Sequence, residues 1–379
     1  MRIGTIYTIY NHRAGVELFF ERTVKEITKS KIDIELIIFC NKQGFDILKY
    51  EKGMRPIFVK ALDSQYTKYF WLEYFSEKVI RKHKIDLFWL PSGTNSFPGR
   101  WEIPVVTTIH DIGEYHIKNK YDAVRTFYRT KICVPRSLKR SDKIIAASRF
   151  TASDIRKTLK YGKDISVIYE AADPWSEEDS NACADVVKQK IGNFFEKIIL
   201  CVGRTDFIGK GIDIILSGYS DILAKDVLGH IPPLVFVGPK GEKSSLLNGF
   251  IKKLKFEKNI YYLGRVSNKC LESLYDLAIV NILASRYEGF GITVLESLKR
   301  DIPIICSDLP VFKEIAGNAP IFFKSGNSSD FAQRLSDMLN GKIDLKTKQE
   351  IGQTISAKYN WGKTAREYID IFKTFAHCN

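Results

Sequence analysis

The sequence predicts an α/β protein made of two doubly wound domains, each a parallel sheet with helices on both faces. Three observations carry this reading. Short apolar runs alternate with helical patterns along almost the whole 379-residue chain, as parallel βαβ units require. The alternation stops once, at residues 170–180 (Glu-Ala-Ala-Asp-Pro-Trp-Ser-Glu-Glu-Asp-Ser), where the chain turns acidic and loses periodicity. The length also suffices for two hydrophobic cores. The expected division is residues 1–172, residues 173–358 and a closing helix over 359–379. Facing doubly wound domains bind ligands at the carboxyl ends of their strands, so the active site is expected in the cleft between them.

In the first half, residues 3–9, 34–39, 87–90, 105–109, 143–147 and 165–169 are expected as strands. They are dense in Ile, Val and aromatic side chains, the composition of strands buried on both faces. Helical patterns separate them at 16–28, 69–82, 122–138 and 153–159. Beyond the interruption, residues 198–202, 234–237, 260–263, 279–283, 304–306 and 321–323 continue the series as strands. A helix over 212–219 follows the first of these. Another starts after Gly291, where Val294, Leu295 and Leu298 share one face. Helical stretches at 331–339, 345–357 and 361–375 close the chain.

Hydrophobic residues make up 45% of the chain and charged ones 27%, ordinary values for a globular enzyme. No run of eighteen apolar residues occurs, so no membrane span is expected. The opening Met-Arg-Ile-Gly-Thr-Ile-Tyr-Thr-Ile-Tyr reads as a first strand rather than a secretory signal. Seven scattered cysteines without a C-x-x-C pair suit reduced thiols and a cytoplasmic location. The net charge of +14 is uneven: residues 1–170 hold 31 basic against 19 acidic side chains, the remainder 27 against 25. Residues 117–160 hold 13 basic and 3 acidic side chains, with Tyr121, Phe127 and Tyr128 among Arg125, Arg129, Lys131, Arg136, Lys139 and Arg140. Such a stretch suits an anionic membrane or lipid phosphate, a plain solvated helix face, or a nucleic-acid face.

Residues 284–298 (Ala-Ser-Arg-Tyr-Glu-Gly-Phe-Gly-Ile-Thr-Val-Leu-Glu-Ser-Leu) are the most informative stretch. Glu288 and Glu296 stand eight positions apart, with Gly289-Phe290-Gly291 between them and the apolar run 277–283 before them. Strand, glycine loop and helix start bring backbone N–H groups and a positive helix end to a crevice. That suits a phosphate or a polyhydroxylated ligand. Thr293 and Glu296 also fit a capping box, the threonine capping the helix and the glutamate reaching back to a free N–H. Both readings stand for Glu296; the second leaves Glu288 and the glycines unexplained.

The strand 198–202 runs into Gly203-Arg204-Thr-Asp-Phe-Ile-Gly209-Lys210-Gly211. It is not a P-loop, because five residues rather than four separate Gly203 from Gly209, and Gly211 replaces the hydroxyl residue that would hold magnesium. Arg204 and Lys210 at a strand-to-helix turn form either a diphosphate clamp or a surface turn with solvated charges. The strand 105–109 ends at His110-Asp111, ahead of Glu114 and His116, so His110 is expected to point into the cleft. The alternatives are a metal site from His110, Asp111, Glu114 and His116, whose spacing matches no familiar ligand pattern, or a turn capped by Asp111 beside a structural histidine. The first loop, 10–17, lacks G-x-G-x-x-G but places Gly15 where a phosphate or sugar could approach the first helix. No Asp-x-Asp triplet, Gly-x-Ser-x-Gly elbow or zinc spacing occurs. Neither metal nor cofactor is therefore expected, and Arg204, Lys210 and helix ends would neutralise phosphate charge.

Together these segments resemble the family 4 retaining glycosyltransferases of GT-B fold, over nearly the whole chain. Glu288-x7-Glu296 with its internal Gly-Phe-Gly is similar to that family's E-x7-E signature, and residues 202–211 to its donor-phosphate segment. Phe236-Val237-Gly238, and Leu263-Gly264-Arg265-Val266-Ser267 ahead of Leu274-Tyr275, resemble the edges of its nucleotide pocket. Residues 108–111, 144–148 and 167–169 are similar to its weaker landmarks. Two departures stand out: Ala14-Gly15 where the family often shows paired glycines, and Glu170-Ala-Ala-Asp173 in place of Asn-Gly or Glu-Gly.

The resemblance implies two Rossmann-like domains with the helix from Trp361 returning to the first. It implies transfer of a hexosyl group from a nucleotide-diphosphate sugar, GDP-mannose or a UDP-hexose, with no metal required. Arg204 and Lys210 would hold the diphosphate and Glu296 the ribose hydroxyls, with Gly238, Val266 and Thr293 lining the nucleotide. Glu288 and the backbone N–H groups of Phe290, Gly291 and Ile292 would orient the donor sugar. Gly15 would line the phosphate from the other domain, and His110 would contact the sugar near the reacting carbon. Retention would follow front-face displacement, the leaving phosphate taking the acceptor's proton. The basic first domain would be the acceptor side. The expected acceptor is a saccharide carried on lipid, in bacterial surface-polysaccharide synthesis, with peripheral contact at the inner face of the cytoplasmic membrane and no nucleic acid. Each Lys or Arg near an anionic surface contributes about 1 kcal/mol. Competing readings are a non-catalytic nucleotide-sugar-binding partner, a GT-B-like sugar-nucleotide epimerase and a basic nucleic-acid-binding protein.

Overall fold

The computed structural model describes residues 1–10, 15–30, 32–118, 121–173, 197–225, 231–241, 243–253 and 257–375. Residues 11–14 of the first loop and 174–180 of the acidic interruption lie outside them. The chain forms two compact units, Met1–Ala171 with Tyr359–Asn379, and Ala172–Lys358.

Unit one holds a seven-stranded parallel sheet in the order β3-β2-β1-β4-β5-β6-β7. Its strands are β1 Arg2–Tyr7, β2 Glu35–Cys40, β3 Met54–Phe58, β4 Leu87–Leu90, β5 Val105–Ile109, β6 Lys143–Ala146 and β7 Ile165–Val167. The inner strands β4 and β5 are buried at every position, which explains their unbroken apolar runs. Strand β3 was not expected. Its Pro56 and its half-exposed side chains are tolerated because it is an edge strand, where the missing N–H faces away from a partner.

Helix boundaries depart from the periodicity in two places. The segment expected as one helix over 69–82 is two, Gln65–Tyr74 and Ser76–Lys82, separated at Phe75, whose φ of −121° leaves the helical region. The segment 122–138 is a helix Ala123–Phe127, a π-helical turn Tyr128–Cys133 and a helix Val134–Arg140 with Pro135 in its first turn. The closing helix Trp361–Thr374 belongs to unit one. It buries Trp361, Tyr368, Ile369 and Phe372. Tyr368 packs on Trp89 at 5.1 Å between ring centroids, and its hydroxyl shares a 2.8 Å hydrogen bond with Thr108. Each such fully buried apolar side chain contributes roughly 1.5–3 kcal/mol.

Unit two holds a six-stranded parallel sheet in the order β10-β9-β8-β11-β12-β13. Its strands are β8 Ile198–Val202, β9 Leu234–Val237, β10 Ile260–Gly264, β11 Ala278–Leu283, β12 Ile304–Ser307 and β13 Ile321–Phe323. Both sheets grow outward in one direction and then cross to the other side, between β1 and β4 in unit one and between β8 and β11 in unit two. At such a crossing the loops after neighbouring strands diverge to opposite faces and leave a crevice. Cys40, Cys133, Cys201 and Cys306 are free and buried, whereas Cys270 is disulfide-bonded, which corrects the expectation of reduced thiols throughout. Among the described residues no helix is long and apolar enough to cross a membrane.

Candidate active site

The crevice of unit two lies at the carboxyl ends of β8 and β11, and glycines set its shape. Gly238, just past β9, has φ +140°, and a Cβ there would stand 2.0 Å from the Gly203 carbonyl oxygen. Only glycine lets the two strand exits approach this closely. Beyond β8 the Asp206 carboxylate accepts from the Gly209 N–H at 3.0 Å, folding the turn that delivers Lys210 and Gly211 to the start of helix Ile212–Ala224. Gly211 caps that helix with φ +62°, pressed so near β11 that a Cβ would meet the Ala284 carbonyl oxygen at 2.0 Å.

Arg286 braces the same turn. Its guanidinium grips both Asp213 oxygens at 2.8 and 2.6 Å and the Ile208 carbonyl at 2.7 Å, while its backbone N–H donates to the Gly209 carbonyl at 3.0 Å. Between these walls lies an open pocket lined by the polar side chains of Arg204, Thr205, Lys210 and Ser285 together with Phe236 and Ile282.

Glu288 is brought to this pocket. Its carboxylate accepts from the Lys210 ammonium and, at 2.7 Å, from the Ser285 hydroxyl. Gly291 then starts helix Ile292–Lys299 with φ +103° and no side-chain cap. The left-handed Gly291 caps the helix two residues ahead of Thr293, so the threonine is too far inside to cap it. The capping-box alternative is therefore corrected. Glu296 instead accepts from the Tyr275 hydroxyl at 3.0 Å. Burial pushes the Glu296 carboxyl up to about 7; the Tyr275 hydrogen bond opposes this and the nearby Asp173 adds to it. Phe290 is buried, while Ile292 and Thr293 are half-buried. Val266, beyond β10, packs with Val202 against the cluster around Leu274 and Tyr275.

Two helices thus begin at this crevice without side-chain caps, Ile212–Ala224 and Ile292–Lys299. Their first N–H groups and positive dipole ends stand with Arg204 and Lys210, a setting for the two charges of a diphosphate.

The remaining predicted site residues lie in unit one. His110, at the end of β5, is buried with both ring nitrogens engaged. Nδ1 meets a Glu170 carboxylate oxygen at 2.6 Å and Nε2 the Pro91 carbonyl at 2.8 Å. The Pro91 carbonyl only accepts, so Nε2 carries a hydrogen, and an ionised Glu170 accepts a second hydrogen from Nδ1 when the ring is charged. Burial opposes that charge, but the attraction and hydrogen bond of Glu170 outweigh it, with the Pro91 carbonyl assisting, and the His110 pKa lies above its usual value. Gly15 opens helix Gly15–Lys29, and a Cβ at this position would meet nothing within 4 Å, so the surroundings described do not require glycine there.

The metal alternative is not supported by geometry. Asp111 accepts from the Gly113 N–H, Glu114 pairs with Arg129 and His116 with Asp154, each separately from His110. Among the described residues no group of three or more His, Cys, Asp or Glu is placed to hold a metal ion. Sequence reasoning missed the roles of Ser285 and the Arg286–Asp213 brace, and named Tyr275 and Glu170 without their partners Glu296 and His110. Arg286 and Ser285 stood inside the singled-out motif 284–298, which gave the only signal for them.

Comparison with known proteins agrees with this geometry. The family model described as Glycosyltransferase Family 4 matches residues 13–175, and that described as Glycosyl transferases group 1 matches residues 187–356. The chain is 26% identical over 279 residues to O-antigen chain mannosyltransferase B of Escherichia coli, covering 71% of this chain and 70% of that protein. Among solved structures, the sucrose-phosphate synthase of Thermosynechococcus elongatus superposes with a TM-score of 0.78 at 16% identity, covering all of both chains. The Anabaena HepE complex with UDP-glucose superposes at 0.72 with 13% identity, covering 99% of this chain and all of that one. With the two models together spanning most of its length, the chain belongs to the family 4-like glycosyltransferases of GT-B fold.

Proposed function

We propose that this glycosyltransferase moves a hexosyl group, with retention and without a metal, from a nucleoside-diphosphate sugar to a lipid-linked saccharide in surface-polysaccharide synthesis. The donor candidates are GDP-mannose and UDP-hexoses. One observation carries the reading: Arg204 and Lys210 meet two uncapped helix starts at the β8/β11 crossing, with Glu288 held on Lys210. The mannosyltransferase relative favours a mannosyl donor and a polysaccharide product, and the UDP-glucose complex of a structural neighbour favours a nucleotide sugar in this fold.

In the reaction the acceptor hydroxyl oxygen bonds to the anomeric carbon on the face from which the diphosphate departs. The carbon–phosphate oxygen bond breaks, and the hydroxyl proton passes to the leaving phosphate. Arg204, Lys210 and the helix ends stabilise the charge that collects there. Glu296 accepts from the ribose hydroxyls and Glu288 orients the sugar. His110 enters as a donor: its Nε2 hydrogen, which faces the Pro91 carbonyl, can pass to a sugar oxygen, and the Glu170 carboxylate on Nδ1 holds the ring in place. That agrees with the phosphate serving as base.

A thermal-shift screen of nucleotide sugars, with and without EDTA, tests the reading. Stabilisation by one donor, unchanged by the chelator and followed by release of its nucleoside diphosphate on adding acceptor, is expected. No response to any nucleotide sugar would overturn it, and binding without turnover would favour the non-catalytic partner.

A further inference from the structure

In unit one the loop after β4, residues 91–96 (Pro-Ser-Gly-Thr-Asn-Ser), is held by buried polar groups. Lys68 of helix Gln65–Tyr74 is 1% exposed, and its ammonium donates to the Asn95 carbonyl at 2.9 Å, with the rings of Tyr10 and Tyr69 at 5.3 and 5.2 Å. Among the described residues Lys68 forms no ion pair, and burial pushes its pKa down to about 8. Arg129, buried on Glu114, donates to the Thr94 hydroxyl at 3.0 Å. The Ser137 hydroxyl stands 3.0 Å from the Gly93 carbonyl and 3.1 Å from that of Ser96. Gly93 lies so close to β5 that a Cβ would meet the Thr107 side chain at 2.6 Å. Burying an ammonium against one neutral carbonyl is less favourable than filling the same space with an apolar side chain. A chain that keeps such a group gains something from the exact place of the loop, beyond packing.

What the loop presents is a pocket at the β1/β4 crossing, the place where a doubly wound sheet takes its ligands. Ser92, Asn95 and Ser96 line it together with Glu17 from the first turn of helix Gly15–Lys29. Tyr7 and Phe20, stacked at 4.8 Å between centroids, supply its apolar lining. Hydroxyl, amide and carboxylate groups beside aromatic rings match a sugar, which offers hydroxyls at its edge and C–H groups on its faces. The Pro91 carbonyl on the same loop is the acceptor of His110 Nε2, so pocket and histidine share one support. Glu17 is the one charged side chain among the described lining residues; the cations Lys68 and Arg129 hold the loop and do not line the pocket. A carboxylate in that position accepts from a sugar hydroxyl and repels a uronic acid or a sugar phosphate.

We propose that this pocket selects an uncharged hexose as the terminal residue of the acceptor, with Glu17 and Asn95 as its specificity-determining residues and Lys68 as the positioning residue that fixes the loop carrying Asn95. The proposal rests on the hexosyl-transfer reading above and narrows its acceptor to a neutral sugar end, whatever carries that sugar.

The test uses the full chain with methyl mannoside, methyl glucoside and the carboxylate-bearing methyl glucuronoside, read by saturation-transfer NMR in the presence of UDP or GDP. Binding of at least one neutral glycoside and none of the glucuronoside is expected. Glu17→Gln and Asn95→Ala should each weaken the neutral glycoside by roughly tenfold, the worth of one hydrogen bond in a pocket, with nucleoside-diphosphate affinity unchanged. Glu17→Gln should also narrow the gap between neutral and acidic glycosides, which a merely structural Glu17 would not do. Lys68→Met keeps the stem without the charge; it should weaken the glycoside while the thermal midpoint and nucleotide affinity hold. A lower midpoint with unchanged glycoside affinity would overturn its positioning role. Equal binding of the glucuronoside, wild-type affinity in both Glu17→Gln and Asn95→Ala, or no glycoside binding at all would overturn the proposal. Nucleotide-sugar stabilisation is measured on the same samples. Glycoside failure with donor binding intact overturns the acceptor pocket alone, and the converse overturns the donor reading alone.

Discussion

Replacing Glu296 by glutamine probes the donor site without any substrate. Its carboxyl is pushed by burial from the usual 4.5 up to about 7. The folded protein therefore holds a proton that the unfolded chain releases as pH rises through that window. Stability must fall between about pH 4.5 and 7 on this group's behalf, because the folded state binds more protons than the unfolded one. At about 1.4 kcal/mol per unit the shift corresponds to roughly 3 kcal/mol, and partial exposure of the residue reduces this to about 2 kcal/mol. Glutamine keeps an oxygen for the Tyr275 hydroxyl but cannot ionise. Urea unfolding at pH 5 and pH 8 should show the variant gaining about 2 kcal/mol on the wild type over that interval. Its nucleotide affinity should be lower and flat with pH, whereas wild-type affinity rises as the carboxylate forms. Parallel pH–stability curves for the two proteins would refute the reasoning.

Arg204→Ala and Lys210→Ala should each weaken nucleoside-diphosphate binding by roughly tenfold to a hundredfold, the worth of a charge-assisted hydrogen bond, as read by calorimetry; unchanged affinity would remove the clamp. Gly291→Ala combines φ +103° with a methyl 2.7 Å from Phe312, and should cost about 2–3 kcal/mol in thermal unfolding; a neutral result would show that the helix start can shift. Arg286→Ala frees Asp213 and the Ile208 carbonyl, so amide exchange at Gly209 and Lys210 should accelerate and diphosphate affinity should fall several-fold. Unaltered exchange there would mean that the turn does not depend on the brace.

The fold class was readable because parallel strands buried on both faces announce themselves: Leu87-Phe-Trp-Leu90 and Ile198-Ile-Leu-Cys-Val202 have no other economical use. The edge strand β3 was not, since Met54-Arg-Pro-Ile-Phe58 has neither unbroken apolarity nor alternation. Helix breaks at Phe75 and around the π-helical turn were hidden because local periodicity continues through them. At the site, the motif 284–298 pointed to the crevice, but the partners of its residues did not follow from spacing. Lys210 reaches Glu288 across 78 positions, and Glu170 reaches His110 across 60. The raised pKa of His110 follows from that distant carboxylate. The capping-box pattern at Thr293–Glu296 misled for a related reason: a left-handed Gly291 set the helix start, which no three-residue spacing records.

Glu288→Gln separates the chemistry from the binding. The wild type and the variant should be compared for nucleoside diphosphate released from the stabilising donor in the presence of acceptor, and for affinity toward the nucleoside diphosphate alone. If the β8/β11 crevice is the donor site of a hexosyltransferase, transfer falls at least about a hundredfold while nucleotide affinity stays within a few-fold, because Lys210 keeps its charge and loses only a competing carboxylate. Transfer at the wild-type rate, or loss of nucleotide binding together with transfer, would contradict it.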